Sequence, residues 1–297
     1  KITFDRQMTL AMDCGNAAAC LAAPEIFNEL DADLTELFCD VDGNFPNHHP
    51  DPTVTENLAK LISTVKGGDF DAGLAYDGDA DRIGLVDENG EIIFADQIMA
   101  LMLPEIVNEG DEILFDVKCS QALEEEIIRL GGKPVIWKTG HSLIKQRMKE
   151  LSCKFGGEMS GHLFFADDYF GYDDAIYVSA RVIQMLSRQD KKLSELVTAL
   201  PQYHSTPEMR LNCSDDEEKF RINMEATAYF DEHYDCLDID GVRIRFTDGW
   251  GLVRASNTQP VIVCRFEAKS QERMKEIQKL VLDKISELGD VEIPADG

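Results

Sequence analysis

The strongest constraint on the fold is a layout that occurs twice in the first two hundred residues. Short apolar runs alternate with stretches of helical period, which is the pattern of strands separated by helices in an α/β sheet. The first round runs from TLAMD through a loop at Cys14–Asn16 and a helix ending near Leu30 to the strand LTELFC. A helix follows, with Leu58, Leu61, Ile62 and Val65 on one face, Thr53 and Glu56 as its capping box, and Gly67-Gly68 as its stop. AGLAY and IGLVD then read as strands, and Asp96–Val107 as a helix. The second round runs ILFDV, a helix over Gln121–Leu130, PVIW, a helix over Ser142–Leu151, and KFGGEMSGHLFF, a strand broken by glycines. In both rounds the first strand ends in an aspartate, Asp13 and then Asp116. This predicts two similar mixed-sheet α/β domains, residues 1–92 and 93–200.

Helices near Asp174–Arg188 and Leu193–Leu200 close the second round, and PQYHSTP (Pro201–Pro207) reads as a linker. From residue 208 the pattern changes. A strand, a polar helix, three strands (VRIRF, WGLVRAS, VIVCRFEA) and a closing helix with Ile277, Leu280, Val281 and Ile285 on its apolar face predict an α+β domain over 208–297.

Composition narrows the partners. Against 29 Lys+Arg stand 56 Asp+Glu, a formal charge of −27. Such a field repels nucleic acid and anionic membranes, but screening over about 8 Å lets a local cluster of cations still hold a small anion. No apolar run approaches the roughly 18 residues of a membrane span, and no secretory signal is visible. The eight cysteines contain no C-x-x-C pair, and several sit in apolar runs. They read as reduced, buried thiols of a cytoplasmic protein rather than a disulfide framework or a zinc site. The chain opens at Lys1 and moves quickly into a strand, so an upstream segment is expected.

Five places can carry chemistry. In LAYDGDADRIGLVDE, Asp77, Asp79 and Asp81 alternate between two apolar strands. Their oxygens suit Mg²⁺ or Ca²⁺, and Arg82 beside them can reach an anion on the same ion. Counted from Asp77, acids fall at positions 1, 3 and 5 with Glu88 at 12, as in an EF-hand, but Arg82 occupies position 6, where the turn requires glycine. The other reading is a solvated acidic turn. Lys138-Thr139-Gly140-His141, at a helix mouth, is an anion or acid–base site, or a plain turn. In GGEMSGH, glycines admit a close ligand while Glu158, Ser160 and His162 bond hydroxyls, as a sugar needs; a β-bulge is the alternative. Arg254, Ser256, Asn257 and Thr258, with Ala255, form a phosphate cradle or a polar hairpin turn. Lys118 stands beyond a strand's carboxyl end, where α/β folds present functional side chains, or is a solvated lysine. His48 and His49 in NFPNHHPDP point to opposite faces of an extended chain and lack spaced partners, which favours a rigid proline loop over zinc.

Taken in order, DGDADR, KTGH, GEMSGH and RASNTQP, with NFPNHHPDP and FDVKCS, resemble the α-D-phosphohexomutases, in particular the phosphomannomutase/phosphoglucomutase branch. That family has four domains around a cleft, and this chain resembles the second, third and fourth. The resemblance implies Mg²⁺ on Asp77, Asp79 and Asp81, with Arg82 helping to neutralise the transferring phosphoryl group. Glu158, Met159, Ser160, Gly161 and His162 would contact the sugar. Arg254, Ala255, Ser256, Asn257 and Thr258 would hold the phosphate that is not being transferred. Lys118, Thr139, Gly140 and His141 would line the site, with Lys118 and His141 as acid–base candidates. The reaction implied moves a phosphoryl group between O1 and O6 of glucose or mannose through a hexose 1,6-bisphosphate and a phosphoserine. The family's serine segment, of the form T-x-S-H-N-P, has no match here, so this chain alone is expected to lack turnover without a phosphoserine domain. DCGNAAAC also departs, with Ala18 and Cys20 where the family is richer in glycine. Met159 favours hexose over glucosamine phosphates, for which GEQSGH is the more usual text. A phosphoglucosamine mutase and a non-catalytic sugar-phosphate or Ca²⁺-binding module remain the alternatives.

Overall fold

The computed structural model describes residues 2–256 and 259–293. Residues up to 135 together with 140–201 form one compact unit, and residues 136–139 with those from 202 onward form a second.

The first sheet holds β1 (Thr9–Asp13), β2 (Asp33–Leu37), β3 (Ala72–Tyr76), β4 (Ile83–Asp87) and β5 (Ile92–Ile93) in the order β2-β1-β3-β4-β5. β1 runs parallel to β2 and β3, whereas β4 returns antiparallel to β3. Both β3 and β4 are buried along their whole length, which is why their sequences are continuously apolar rather than alternating. α1 (Ala23–Glu29) and α2 (Ala59–Lys66) connect the parallel strands. Leu58, Leu61 and Val65 bury one side of this second helix with Ala11, Ala75 and Val86, and Ile62 packs at the edge. Each fully buried side chain of this size contributes about 1.5–3 kcal/mol of transfer free energy.

The expected capping box does not form. Thr53 instead donates both its N–H and its hydroxyl to Asp51, and a 3₁₀ turn over Thr55–Leu58 precedes the helix. An aspartate two residues back offered a nearer acceptor than the helix did.

α3 (Ala95–Ile106) leads to β6 (Glu112–Asp116), α4 (Gln121–Arg129), β7 (Lys133–Trp137), α5 (His141–Leu151), β8 (Phe155–Gly157) and β9 (Leu163–Phe165), ordered β7-β6-β8-β9. β6 is parallel to β8, and β9 is antiparallel to β8. The plan of the first four strands of the first sheet therefore recurs, β5 having no counterpart among the described strands. The β3–β4 hairpin carries the acidic loop, and the equivalent β8–β9 hairpin carries the glycine loop. α6 (Ala175–Ser187) and α7 (Leu193–Thr198) follow.

The second unit is an antiparallel sheet, β10 (His204–Ser205), β15 (Val261–Ala268), β14 (Gly249–Ala255), β13 (Val242–Phe246) and β12 (Asp235–Leu237) in that order, with β11 (Met209–Asn212) also on β15. α8 (Asp216–His233) and α9 (Gln271–Leu288) bury Ile222, Phe230, Ile277, Val281 and Ile285 against it. Two expectations are corrected here. Leu280 is exposed, and Met274 and Leu282 complete the buried face instead. The expected linker is not free either: His204 and Ser205 pair with Ala268 and Glu267, and Thr206 donates to the Phe266 carbonyl. No described helix is long and apolar enough to cross a membrane.

Candidate active site

Tyr76 and Ile83 close the β3–β4 hairpin, and residues 77–82 form its loop. The Asp77 carboxylate is buried and organises the loop from within. Its Oδ1 accepts the backbone N–H of Asp81 and of Arg82, both at 3.0 Å, and its Oδ2 accepts Arg82 Nε at 2.7 Å. Ala80 completes the turn in the left-handed region at φ 63°. Asp77, Asp79 and Asp81 each bring an oxygen within 4.8 Å of the others, a hard-oxygen set that fits a divalent cation. Burial, and then the neighbouring charges of Asp77 and Asp79, push the Asp81 carboxyl up to about 7 against the pull of His162. Arg82 does not stand free beside this loop: its guanidinium is engaged with Asp77 and lies 3.4 Å from Asp51 of the proline loop. In that loop His48 turns inward to Asp13 at 3.1 Å while His49 is exposed. His48 packs edge-on to Phe38 and His49 edge-on to Phe45, and among the described residues neither joins a metal-ligating cluster.

The glycine loop meets the acidic loop directly. Gly161 lies at φ 105°, and its carbonyl accepts the Ile83 N–H at 3.2 Å. A Cβ at Gly161 would sit 2.9 Å from the Ile83 carbonyl oxygen, so glycine is required for the approach. Glu158 is buried, taking the Gly140 N–H on Oε1 at 2.5 Å and the Ser160 hydroxyl on Oε2 at 3.0 Å. Burial and the nearby Asp116 charge raise its carboxyl above the usual range despite those donors. Gly140, at φ 137°, starts α5 and places His141 in its first turn.

Sequence reasoning missed Asp173, on which a lysine and two histidines converge. Lys145 Nζ lies 2.7 Å from its Oδ1, and Nδ1 of His162 and of His141 lie 3.1 and 3.3 Å from its Oδ2. The two imidazoles stack, with centroids 5.2 Å apart and planes 18° from parallel. His162 Nδ1 and Asp173 Oδ2 face each other at ion-pair distance but too obliquely for a hydrogen bond. His162 also lies 3.5 Å from Asp81, so Asp81, His162 and Asp173 form a second close cluster. Burial would lower the His162 imidazole, but Asp173, Asp81 and Glu158 outweigh it and hold the ring above its ordinary value. Burial likewise opposes Asp173, whose carboxyl His162 and Lys145 nevertheless keep well below the carboxylate range. Two signals pointed this way: His141 and Lys145 are four residues apart, one helical turn, and Asp173 lies in an acid-rich run, Asp167–Asp174.

Asp116 ends β6 fully buried, and its Oδ1 accepts the Lys118 and Met159 N–H groups, both at 3.3 Å. The Lys118 ammonium lies 3.9 Å from its Oδ2. The first unit thus brings together Asp77, Asp79, Asp81, Gly140, His141, Glu158, Ser160, Gly161 and His162, with Lys118 tied in through Asp116. Arg254, Ala255 and Ser256 belong to the second unit, where all three are buried. Arg254 Nε donates to Asp240 Oδ2 at 3.1 Å, which also accepts the Thr139 N–H at 3.1 Å. Ser256 Oγ accepts the Gln259 N–H at 3.3 Å. Asn257 and Thr258 lie outside the described residues.

Paired α/β sheets whose equivalent hairpins bear an acidic and a glycine loop, followed by an α+β domain, define the class of the α-D-phosphohexomutases. Residues 3–90, 94–203 and 208–284 match family models described as phosphoglucomutase/phosphomannomutase alpha/beta/alpha domain II, alpha/beta/alpha domain III and C-terminal domain. The chain belongs to that phosphoglucomutase/phosphomannomutase family. It is 44% identical over 288 residues to a phosphomannomutase/phosphoglucomutase of Pseudomonas aeruginosa, covering 96% of this chain and 62% of that protein. To a phosphoglucomutase of Neisseria gonorrhoeae it is 43% identical over 281 residues, 93% of this chain and 61% of the other. The crystal structure of a phosphoglucomutase/phosphomannomutase family protein from Burkholderia thailandensis superposes with a TM-score of 0.89 at 39% identity, covering 98% of this chain and 63% of that one. The chain therefore spans somewhat less than two thirds of these relatives.

Proposed function

We propose that this chain provides the metal-binding, sugar-binding and phosphate-binding parts of a mutase that interconverts the 6-phosphate and 1-phosphate of mannose or glucose through a hexose 1,6-bisphosphate. The phosphoserine that gives and takes back the phosphoryl group would lie on sequence outside this chain, since no serine here precedes His-Asn. The reading places the protein in the cytoplasm.

Asp77, Asp79 and Asp81 would hold Mg²⁺, which neutralises charge on the transferring phosphoryl group when bound. Arg82 tempers the negative field of the loop through Asp77. Glu158 and Ser160 would grip sugar hydroxyls with their remaining lone pairs, while Met159 and Gly161 shape the loop and His162 stands next to both ligand sets. Lys118 and His141 are the candidates to receive the proton of the attacking hydroxyl, with the Thr139-Gly140 backbone beside them at the start of α5. Arg254, Ala255 and Ser256, with Asn257 and Thr258, would form the phosphate cradle.

The observation that carries this reading is the Ile83–Gly161 hydrogen bond, which sets the metal-type loop and the hydroxyl-binding loop side by side. Full-length protein should isomerise mannose or glucose phosphate only with Mg²⁺ present. A well-folded full-length chain without that activity would overturn the proposal. Faster turnover of hexosamine phosphates would point to a glucosamine mutase. Tight Ca²⁺ binding by calorimetry, with no Mg²⁺ effect and no sugar-phosphate dependence, would point to a non-catalytic module.

A further inference from the structure

The cluster of Asp81, His162 and Asp173 is not satisfied by a shared proton. His162 Nδ1 lies 3.1 Å from Asp173 Oδ2 and 3.5 Å from Asp81 Oδ1, yet it makes no hydrogen bond to either oxygen. Nδ1 and Oδ2 are both enclosed, and only 6% of the Asp173 side chain is exposed. Buried polar atoms are rarely left without a bond, and an ion held between them satisfies such a pair. Lys145 engages the other oxygen of Asp173, Oδ1, at 2.7 Å, while half-exposed His141 borders Oδ2 at 3.3 Å. The spacing suits a metal. Ligands about 2.0–2.1 Å from a tetrahedral ion stand roughly 3.3–3.4 Å from one another, between the two separations from Nδ1. The remaining edge, from Asp81 to Asp173, closes within 4.8 Å. Each ligand is also anchored through backbone beside it. His162 follows Gly161, whose carbonyl holds Ile83, and Asp173 forms a bridge to Phe164 in β9. Asp81 follows Ala80, whose carbonyl accepts the Ala175 N–H at 3.0 Å. Three donors are thus gathered on mutually bonded segments before any ion arrives.

We propose that Asp81, His162 and Asp173 form a binding site for a divalent transition-metal ion of the zinc type, separate from the all-oxygen set of Asp77, Asp79 and Asp81 but sharing Asp81 with it. An imidazole nitrogen suits zinc-like ions, whereas Mg²⁺ takes oxygen throughout. The ion takes the place of a proton at Nδ1, and Lys145 orients Asp173 from behind. A fourth position is left to water or to an oxygen of a phosphate. Because Asp81 belongs to both sets, zinc bound here draws a ligand away from the Mg²⁺ site. The binding claim does not rest on the mutase reading.

The test is to titrate the metal-free chain with Zn²⁺ in a calorimeter and to record the zinc-edge X-ray absorption of the loaded chain. A single ion should bind, and its absorption should carry the outer-shell scattering of an imidazole together with oxygen ligands. His162→Gln and Asp173→Asn should each weaken Zn²⁺ by roughly tenfold or more, while Asp79→Asn should leave it within about threefold, the reverse of its effect on Mg²⁺. Circular dichroism must show native structure for the His162 and Asp173 variants. If either fails to fold, the absorption spectrum of the unsubstituted chain decides alone. Absence of Zn²⁺ binding, a ligand shell of oxygen only, sulfur from a cysteine among the ligands, or a Zn²⁺ affinity that follows Asp79 rather than His162 would overturn the proposal.

Discussion

Ile83 donates its backbone N–H to the carbonyl of Gly161 at 3.2 Å, and through that bond the turns of two topologically equivalent hairpins become one surface. Neither residue carries reactive chemistry. Their contact nonetheless sets the spacing between the carboxylates of the β3–β4 turn and the Glu158 and Ser160 side chains of the β8–β9 turn, proposed above to bind hydroxyls. It is held by a glycine whose φ of 105° few other residues tolerate.

Gly161→Ala should therefore be costly, by about 3 kcal/mol, because backbone strain adds to a contact with the Ile83 carbonyl. Gly110 is the internal control. It also has a positive φ, 84°, but a Cβ there meets nothing within 4 Å, so Gly110→Ala should cost only about 1 kcal/mol. Denaturant midpoints of the two variants decide the matter. Equal losses would show that the loop contact contributes nothing.

Asp77 and Asp79 should separate metal binding from folding. Asp79 is exposed, so Asp79→Asn should weaken Mg²⁺ binding in calorimetry while leaving the metal-free melting temperature unchanged. Asp77→Asn should do both kinds of damage, costing about 2 kcal/mol of stability, since its carboxylate accepts three hydrogen bonds within the loop.

How much of this could be read in advance depended on whether the signal was local. The acidic and glycine loops each gather their candidate residues within six or seven consecutive positions; the flanking strands singled out the acidic loop, whereas the glycine loop read as a β-bulge until its order among the other motifs gave it weight. The repeated strand order was legible because β3, β4 and β6 are short apolar runs between helix signals. Asp173 was not, since its meaning arises only when α5 delivers His141 and Lys145, and β9 delivers His162, to one carboxylate. Leu280 looked buried on periodicity, yet the face that meets the sheet is centred on Ile277, Val281 and Ile285 and leaves it outside. The β10 strand was hidden in a proline-flanked stretch, where pairing with β15 rather than any local preference decides the conformation.

Asp173→Asn should leave Mg²⁺ binding within about threefold, while in full-length protein kcat falls by roughly two orders of magnitude, a loss of about 3 kcal/mol in the barrier. The amide keeps the shape of the carboxylate but not the charge that gathers Lys145, His141 and His162. Asp173→Glu should recover part of the rate. An Asp173→Asn enzyme of normal kcat would remove the residue from the site.

Alkaline pH should destabilise the chain through Tyr76. Burial raises its phenol well above the ordinary value, even though the hydroxyl pairs with Ser179 at 2.8 Å. The folded state then retains a proton that the unfolded state releases above pH about 10. Stability contributed below that pH is accordingly lost as pH rises beyond it. Tyr76→Phe should cost about 1 kcal/mol at pH 8 and show a shallower decline between pH 9 and about 11, by urea denaturation at each pH. An unchanged slope would assign the alkaline loss to other groups.

Asp77 has one consequence that concerns time rather than energy. Its carboxylate already fastens the turn from inside through Asp81 and Arg82, so a cation held as proposed above would find its coordinating oxygens assembled. Capture should then be paced by how quickly the ion sheds its own water, and chelators should strip it without the hairpin coming apart.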